Sequence, residues 1–121
     1  MRVFDSSALL ALLRGEPGGL IVQEYLGEPG VCSATNWAEV AQKVSQLGGN
    51  WARGRAALLG FDLTIEPVTM VDAEVAATLW AASSGLSLAD RLCLALGTRL
   101  GATVVTCDAA WAGQPGVELI R

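Results

Sequence analysis

The stretches with strand character in this chain are short apolar runs with little polar alternation, and segments of helical composition separate them. A strand that needs no polar face is buried on both sides, so the pattern implies a parallel sheet covered by helices on both faces. Residues Arg2 to Phe4 read as the first such strand and run into Asp5. Ser6 to Arg14 carries Ala and Leu almost continuously, as a buried helix does. Gly15, Pro17, Gly18 and Gly19 break it, a short helix follows over about 19–26, and Glu28-Pro29-Gly30 makes a turn. Val31-Cys32-Ser33 is the second strand, with Ser33 as N-cap of a helix to about Leu47. Asn50 caps another helix, about 51–60, and Leu63 to Glu66 is the third strand. The spacing of Val71, Val75, Leu79 and Ala82 predicts a helix from Val71 to Ser83 with those residues on its buried face. Ser87-Leu88-Ala89-Asp90 has the form of a capping box and opens a helix that Gly101 closes after Leu100. Ala102 to Cys107 reads as a buried strand, Asp108 caps a short helix through Trp111, and Val117 to Ile120 is the last strand.

The whole stretch 1–121 thus reads as a single domain, with no composition break, repeat or low-complexity segment. With 52% hydrophobic and 17% charged residues it has the material for a packed core. The chain contains no histidine. That excludes Ser-His-Asp and Cys-His catalysis and every imidazole-built zinc site. Acid–base or metal chemistry falls to carboxylates, cysteines, tyrosine or arginine. Cys32, Cys93 and Cys107 are odd in number, widely spaced and set in apolar surroundings. They read as buried free thiols of a reducing cytoplasm rather than a disulfide framework. No run is long enough to span a membrane, and Asp5 interrupts any export signal, so a cytoplasmic protein without membrane contact is expected. The net charge of −4 argues against a simple basic nucleic-acid binder, though not against an enzyme that first binds divalent cations.

The placement of the acids is the most informative feature. In a parallel sheet the crevice outside the carboxyl ends of the strands is the usual place for function. Asp5 and Asp108 end two strands and belong on that edge. Asp90 lies in the first turn of a helix, and Glu39 lies in another helix, on one face with Asn36. Four carboxylates in one crevice repel each other without a cation, so at least one has a raised pKa. Mg²⁺ and Mn²⁺ take oxygen ligands, activate water and stabilise an in-line phosphoryl displacement with no histidine. Without these four acids, the remaining eight balance the eight basic residues. Each acid also has a plainer reading: Asp5, Asp90 and Asp108 stand where a helix cap or first-turn acid belongs, and Glu39 where an exposed helix acid would be ordinary.

Four segments, in order, resemble a known family. Asp5-Ser6-Ser7-Ala8-Leu9-Leu10-Ala11-Leu12-Leu13 is similar to the N-terminal signature of PIN-domain ribonucleases. Asn36-Trp37-Ala38-Glu39-Val40 resembles their second acidic motif, Leu86-Ser87-Leu88-Ala89-Asp90-Arg91 with the following Leu92 to Leu96 the third, and Val104 to Trp111 the fourth. Order and spacing resemble the VapC-type toxins of bacterial toxin–antitoxin pairs over essentially the whole chain. The resemblance implies a PIN-like α/β domain with a short central parallel sheet. It implies a Mg²⁺- or Mn²⁺-dependent endoribonuclease that cuts structured RNA, tRNA or rRNA. It also implies a cognate antitoxin partner and a homodimer. Matched by motif, Asp5, Glu39, Asp90 and Asp108 form the acidic quartet, with Asp5 and Asp90 as direct metal ligands and Glu39 and Asp108 completing the shell. Ser6 matches a residue that orients the first aspartate, and Asn36 and Thr106 match supporting donors. Many relatives carry one more acid after the fourth motif, where this chain has Ala109, Ala110 and Trp111.

Other readings are weaker. A phosphotransfer receiver domain also gathers acids at strand ends, but it pairs acids near its first strand and sets a lysine after a late one. Here Asp5 stands alone and the single lysine, Lys43, lies in mid-helix. An Asp-x-Asp phosphatase fails at Ser7. A catalytically inactive PIN-like protein-binding module is the remaining alternative. Arg53 and Arg55 read as a solvated helix face, with RNA phosphates as the other option. Arg91 either meets the scissile phosphate or pairs with a neighbouring acid. Trp37, Trp51, Trp80 and Trp111 read as packing residues rather than base-stacking platforms. The helix 6–14 with the segment around 19–26 offers core packing or a groove for an antitoxin helix.

Overall fold

In the computed structural model, which describes residues 1–81 and 84–121, five strands form one sheet: β1 (Arg2–Phe4), β2 (Gly30–Ser33), β3 (Leu63–Glu66), β4 (Thr103–Thr106) and β5 (Val117–Leu119). Their order is β3-β2-β1-β4-β5 and every pairing is parallel. Neighbouring residues of the central strands feed two separate cores. Phe4, Cys32 and Val105 pack with helices α1 (Ser6–Arg14), α2 (Gly19–Tyr25), α3 (Ala34–Gln46) and α4 (Trp51–Leu59). Val3, Val31 and Val104 pack with α6 (Leu88–Leu100) and Trp111. Burial on both faces is why these strands carry no polar alternation. The expected α/β architecture is therefore the observed one.

Connectivity fixes where function can sit. From β1 the chain winds outward through β2 to β3, then returns through α5 (Met70–Thr78) and α6 to β4 on the other side of β1. The carboxyl ends of β1 and β4 thus flank the point where the winding reverses. Asp5 is the N-cap of α1 and accepts from the Ala8 amide, so the acid that ends β1 also starts the next helix. Helix α6 lies close over β4: a Cβ on Gly97 would come within 2.6 Å of Val104 Cγ2. The Ser87–Asp90 capping box starts α6.

The helix expected over 71–83 differs. Helix α5 spans Met70–Thr78, with Leu79 as its C-cap, and Ala82 and Ser83 lie outside the described residues. Its buried residues are Asp72 and Ala76, whereas Val71 and Leu79 are exposed. An ion pair from Asp72 to Arg99 of α6 draws an acid inward and turns the apolar residues outward. Thr69 and Asp72 form a capping box at the start of α5, a signal already present in the sequence. Cys32 and Cys93 are buried, but Cys107 is only partly so, and all three are free. No helix among the described residues is long and apolar enough to cross a membrane.

Candidate active site

Asp5 stands at the reversal point and is 2% exposed. Its backbone amide donates to the carbonyl of Val105, which joins the ends of β1 and β4. Its carboxylate is held on both oxygens. Ser7 Oγ lies 2.7 Å from Oδ1 and 2.9 Å from Oδ2. The Ala8 amide donates to Oδ1 at 2.9 Å, and Thr106 Oγ1 donates to Oδ2 at 2.6 Å. Burial dominates even so: it pushes the Asp5 pKa up to about 6 against the lowering effect of Thr106, Ala8 and Ser7, and the charge of Asp90 adds to the rise.

Asp90 gathers the other acids. Burial raises its pKa above the ordinary value, and the charges of Glu39 and Asp108 raise it further. One of its oxygens caps α6 by accepting from the Ser87 amide at 2.9 Å, while Oδ1 has no partner among the described residues. Asp108 is exposed and accepts from the Ala110 amide at 2.9 Å, capping the 3-10 turn Ala109–Trp111. Glu39 is half-buried and accepts from Asn36 Nδ2 at 2.7 Å. The capping role and the acidic cluster are thus compatible at Asp90 and Asp108, because a cap occupies one oxygen and leaves the other.

Among the described residues, no three His, Cys, Asp or Glu side chains are arranged to hold a metal ion together. The acids feel each other's charges, as at Asp5–Asp90, Asp90–Glu39 and Asp90–Asp108, without converging on one point. The donor set fits a hard divalent cation in kind: carboxylate oxygens whose mutual repulsion a cation would relieve. Asn36 Oδ1 fits as well, being buried with no partner among the described residues. Such an orphan acceptor calls for a donor that the protein chain does not supply.

The supporting residues divide. Thr106 holds Asp5 and Asn36 holds Glu39. Ser6 does not hold Asp5: among the described residues its hydroxyl makes no hydrogen bond, and Ser7 takes the expected place. Sequence reasoning missed Ser7 because two adjacent serines follow Asp5 and only the path of β4 decides between them. Arg91 pairs with no acid among the described residues. It donates to the carbonyl of Ala76 at 3.0 Å and fastens α6 to α5. Arg53 and Arg55 are exposed. Trp111 is buried, and Trp37 and Trp51 meet edge to face at 5.0 Å beside the first core. Trp80 is exposed.

Comparison with known proteins bears on this arrangement. A family model described as the PIN domain matches residues 2–115. No curated protein matches the chain. Among solved structures, a toxin–antitoxin complex from Klebsiella pneumoniae is similar with a TM-score of 0.78 at 24% identity, over 98% of this chain and 96% of that one. Mycobacterium tuberculosis VapC20, described as a sarcin-ricin-loop-cleaving toxin, is similar with a TM-score of 0.77 at 17% identity, over 100% of both chains. Rickettsia felis VapBC2, bound to a DNA fragment from its promoter, is similar with a TM-score of 0.72 at 12% identity, over 99% and 98%. At these identities the solved structures establish a shared fold.

Proposed function

The chain belongs to the PIN-domain family, and from that premise we propose that it is a divalent-metal-dependent endoribonuclease and the toxin of a VapC-type toxin–antitoxin pair. The observation that carries the reading is the state of Asp5: buried at the reversal point, with no cationic side chain against it among the described residues, and raised to about 6 by burial and the charge of Asp90. Asp5 and Asp90 are the direct ligands of Mg²⁺ or Mn²⁺ in this reading, with Glu39 and Asp108 completing the shell. A bound divalent ion supplies a water of lowered pKa and neutralises charge at the phosphate under attack.

The chain's own residues do the rest. Thr106 and Ser7 donate to Asp5 and keep its carboxylate in one orientation. Asn36 donates to Glu39 and holds it on the crevice side of α3. The capping bond takes Oδ2 of Asp90, beside the charges of Glu39 and Asp108, and leaves Oδ1 as the oxygen for a ligand role. Structured RNA, tRNA or rRNA, is the proposed substrate. Its phosphates would meet an acidic site in a chain of net charge −4, a repulsion that bound cations would offset.

An antitoxin is the proposed protein partner. A groove of about 670 Å³ runs along α1 and α2 past Leu12, Leu20 and Ile21, and Leu20 is 83% exposed. It suits an apolar helix face. The similar Klebsiella structure is a toxin–antitoxin complex, which supports the same reading. Homodimerisation and a cytoplasmic location belong to it too.

The test is cleavage of total tRNA and rRNA by the purified chain with Mg²⁺, with Mn²⁺ and with chelator, beside Asp5→Asn. The expected result is metal-dependent cutting that the variant lacks, together with growth arrest on induction that Asp5→Asn relieves. Equal toxicity of the variant, or no cutting by folded protein free of antitoxin, favours the inactive binding module instead.

A further inference from the structure

We propose that the exposed cations of α3 and α4, joined by Arg14 of α1, form a surface that holds RNA by its phosphates outside the acidic site. The proposal rests on the RNA reading above. Between Glu39 and Asp62 the chain carries Lys43, Arg53 and Arg55 and no acid. That stretch takes in the later turns of α3 and the whole of α4. All three residues are exposed, and none of them makes an ion pair among the described residues. Other cations are committed: Arg2 lies 4.0 Å from Glu28, Arg99 is paired with Asp72, and Arg91 donates to the Ala76 carbonyl. The fold adds a fourth member from far away in sequence. Arg14, in the last turn of α1, and Arg53, in the first turn of α4, line one hollow of about 610 Å³ together with Val44 and Leu47. Arg14 makes only a loose contact with Glu16, at 3.8 Å.

Charge and position point to RNA as the occupant. A merely solvated face mixes acids with bases. Residues 40–61 carry one sign only, in a chain whose net charge is −4. Lys43 follows Glu39 on α3 by one turn, about 6 Å along the axis, so the cationic surface begins one turn from the acidic site. Carboxylates repel every phosphate that a bound cation does not bridge to them, so a long polyanion needs an attractive surface near the place where one of its bonds is cut. Arginine suits that surface, because its planar fork matches two phosphate oxygens at once. Side chains without fixed acid partners are free to follow a run of phosphates and carry no demand on base sequence.

The test follows binding of labelled tRNA and rRNA by fluorescence anisotropy over a KCl series. Full chains carrying Asp5→Asn are used so that the RNA stays intact, with thermal unfolding in parallel. Arg14→Gln and Arg53→Gln are each expected to weaken binding about two- to fivefold. Each is also expected to make the logarithmic salt dependence shallower by roughly 0.7 to 1. Replacing Arg14, Lys43, Arg53 and Arg55 together by Gln is expected to weaken it about tenfold or more, and the single variants carry the test if that chain does not fold. Arg2→Gln makes the same charge change at the start of β1, away from this surface, and is expected to alter neither quantity. In cleavage by chains that keep Asp5, the combined variant is expected to raise KM with kcat unchanged. Affinity and salt dependence that stay equal to the parent's in Arg53→Gln and in the combined variant, or an equal loss in Arg2→Gln, overturn the proposal alone. A parent chain that binds RNA through these cations and cuts none sustains the surface and overturns the nuclease reading. A chain that binds neither tRNA nor rRNA overturns both.

Discussion

Asp5 and Asp72 are equally buried aspartates, 2% and 3% exposed, and both cap a helix, yet their environments diverge. Asp72 meets Arg99 in a two-pronged pair, 2.9 Å from Nε and 3.2 Å from Nη2. Burial is the largest influence on it and pushes upward, but Arg99 and Thr69 together bring its pKa below the ordinary value. Asp5 has only hydroxyls and an amide for partners, and burial wins. Asp72 is completed by the protein and fastens α5 to α6. Asp5 is left without a charged partner among the described residues, at the carboxyl edge of the sheet. A buried carboxylate without a fixed counter-ion is suited to a mobile one.

The largest expected break of this contrast is in activity. Asp5→Asn removes the charge of a proposed metal ligand while keeping size, and RNA cleavage in Mg²⁺ is expected to fall by on the order of 10³-fold. Asp72→Asn, assayed in the same way, is expected to leave cleavage by the folded protein nearly unchanged.

Stability against pH sharpens the contrast, because the two acids act with opposite sign. A folded state that raises the Asp5 pKa from 3.8 to about 6 binds more protons there than the unfolded chain. Without divalent cations, stability therefore declines as pH rises between those values, by on the order of 3 kcal/mol from this group. Asp5→Asn flattens that decline in chemical denaturation. The lowered Asp72 works the other way: its contribution is present above its unfolded pKa and is lost as pH falls through its folded value.

Asp72→Ala breaks the completed pair directly. It strands Arg99, which keeps a looser contact with Glu66 at 3.7 Å, and removes a capping box. A loss of about 2 kcal/mol is expected in thermal or denaturant unfolding, since Arg99 is partly exposed. The smallest effect is expected at Ser6. Ser6→Ala leaves Asp5 its partners and is expected to change stability by less than about 0.5 kcal/mol, with cleavage within about twofold.

The same contrast shows what was legible in the sequence. Local signals carried far: the Ser87–Asp90 box, the Asn50 cap and the glycine after Leu100 placed α4 and α6 within a residue or two. The apolar runs gave all five strands and their burial on two faces. Asp5, Asp90 and Asp108 were readable because strand ends and helix starts fix them relative to one sheet edge. What escaped was decided by partners distant in sequence. Nothing near residue 7 says that its hydroxyl, rather than that of Ser6, meets an amide 100 positions later. The turned face of α5 depends on Arg99, 27 residues beyond Asp72. Arg91 finds a helix carbonyl rather than an acid because α5 and α6 lie against each other.

The most direct test of the account is the titration of individual carboxyl groups by ¹³C NMR, with and without Mg²⁺, Asp72 serving as the internal reference. The account predicts that Asp5 titrates near 6 in the absence of the ion, falls below its ordinary value of 3.8 when Mg²⁺ is present, and that Asp72 stays low throughout. An Asp5 whose titration is the same with and without Mg²⁺ would contradict it.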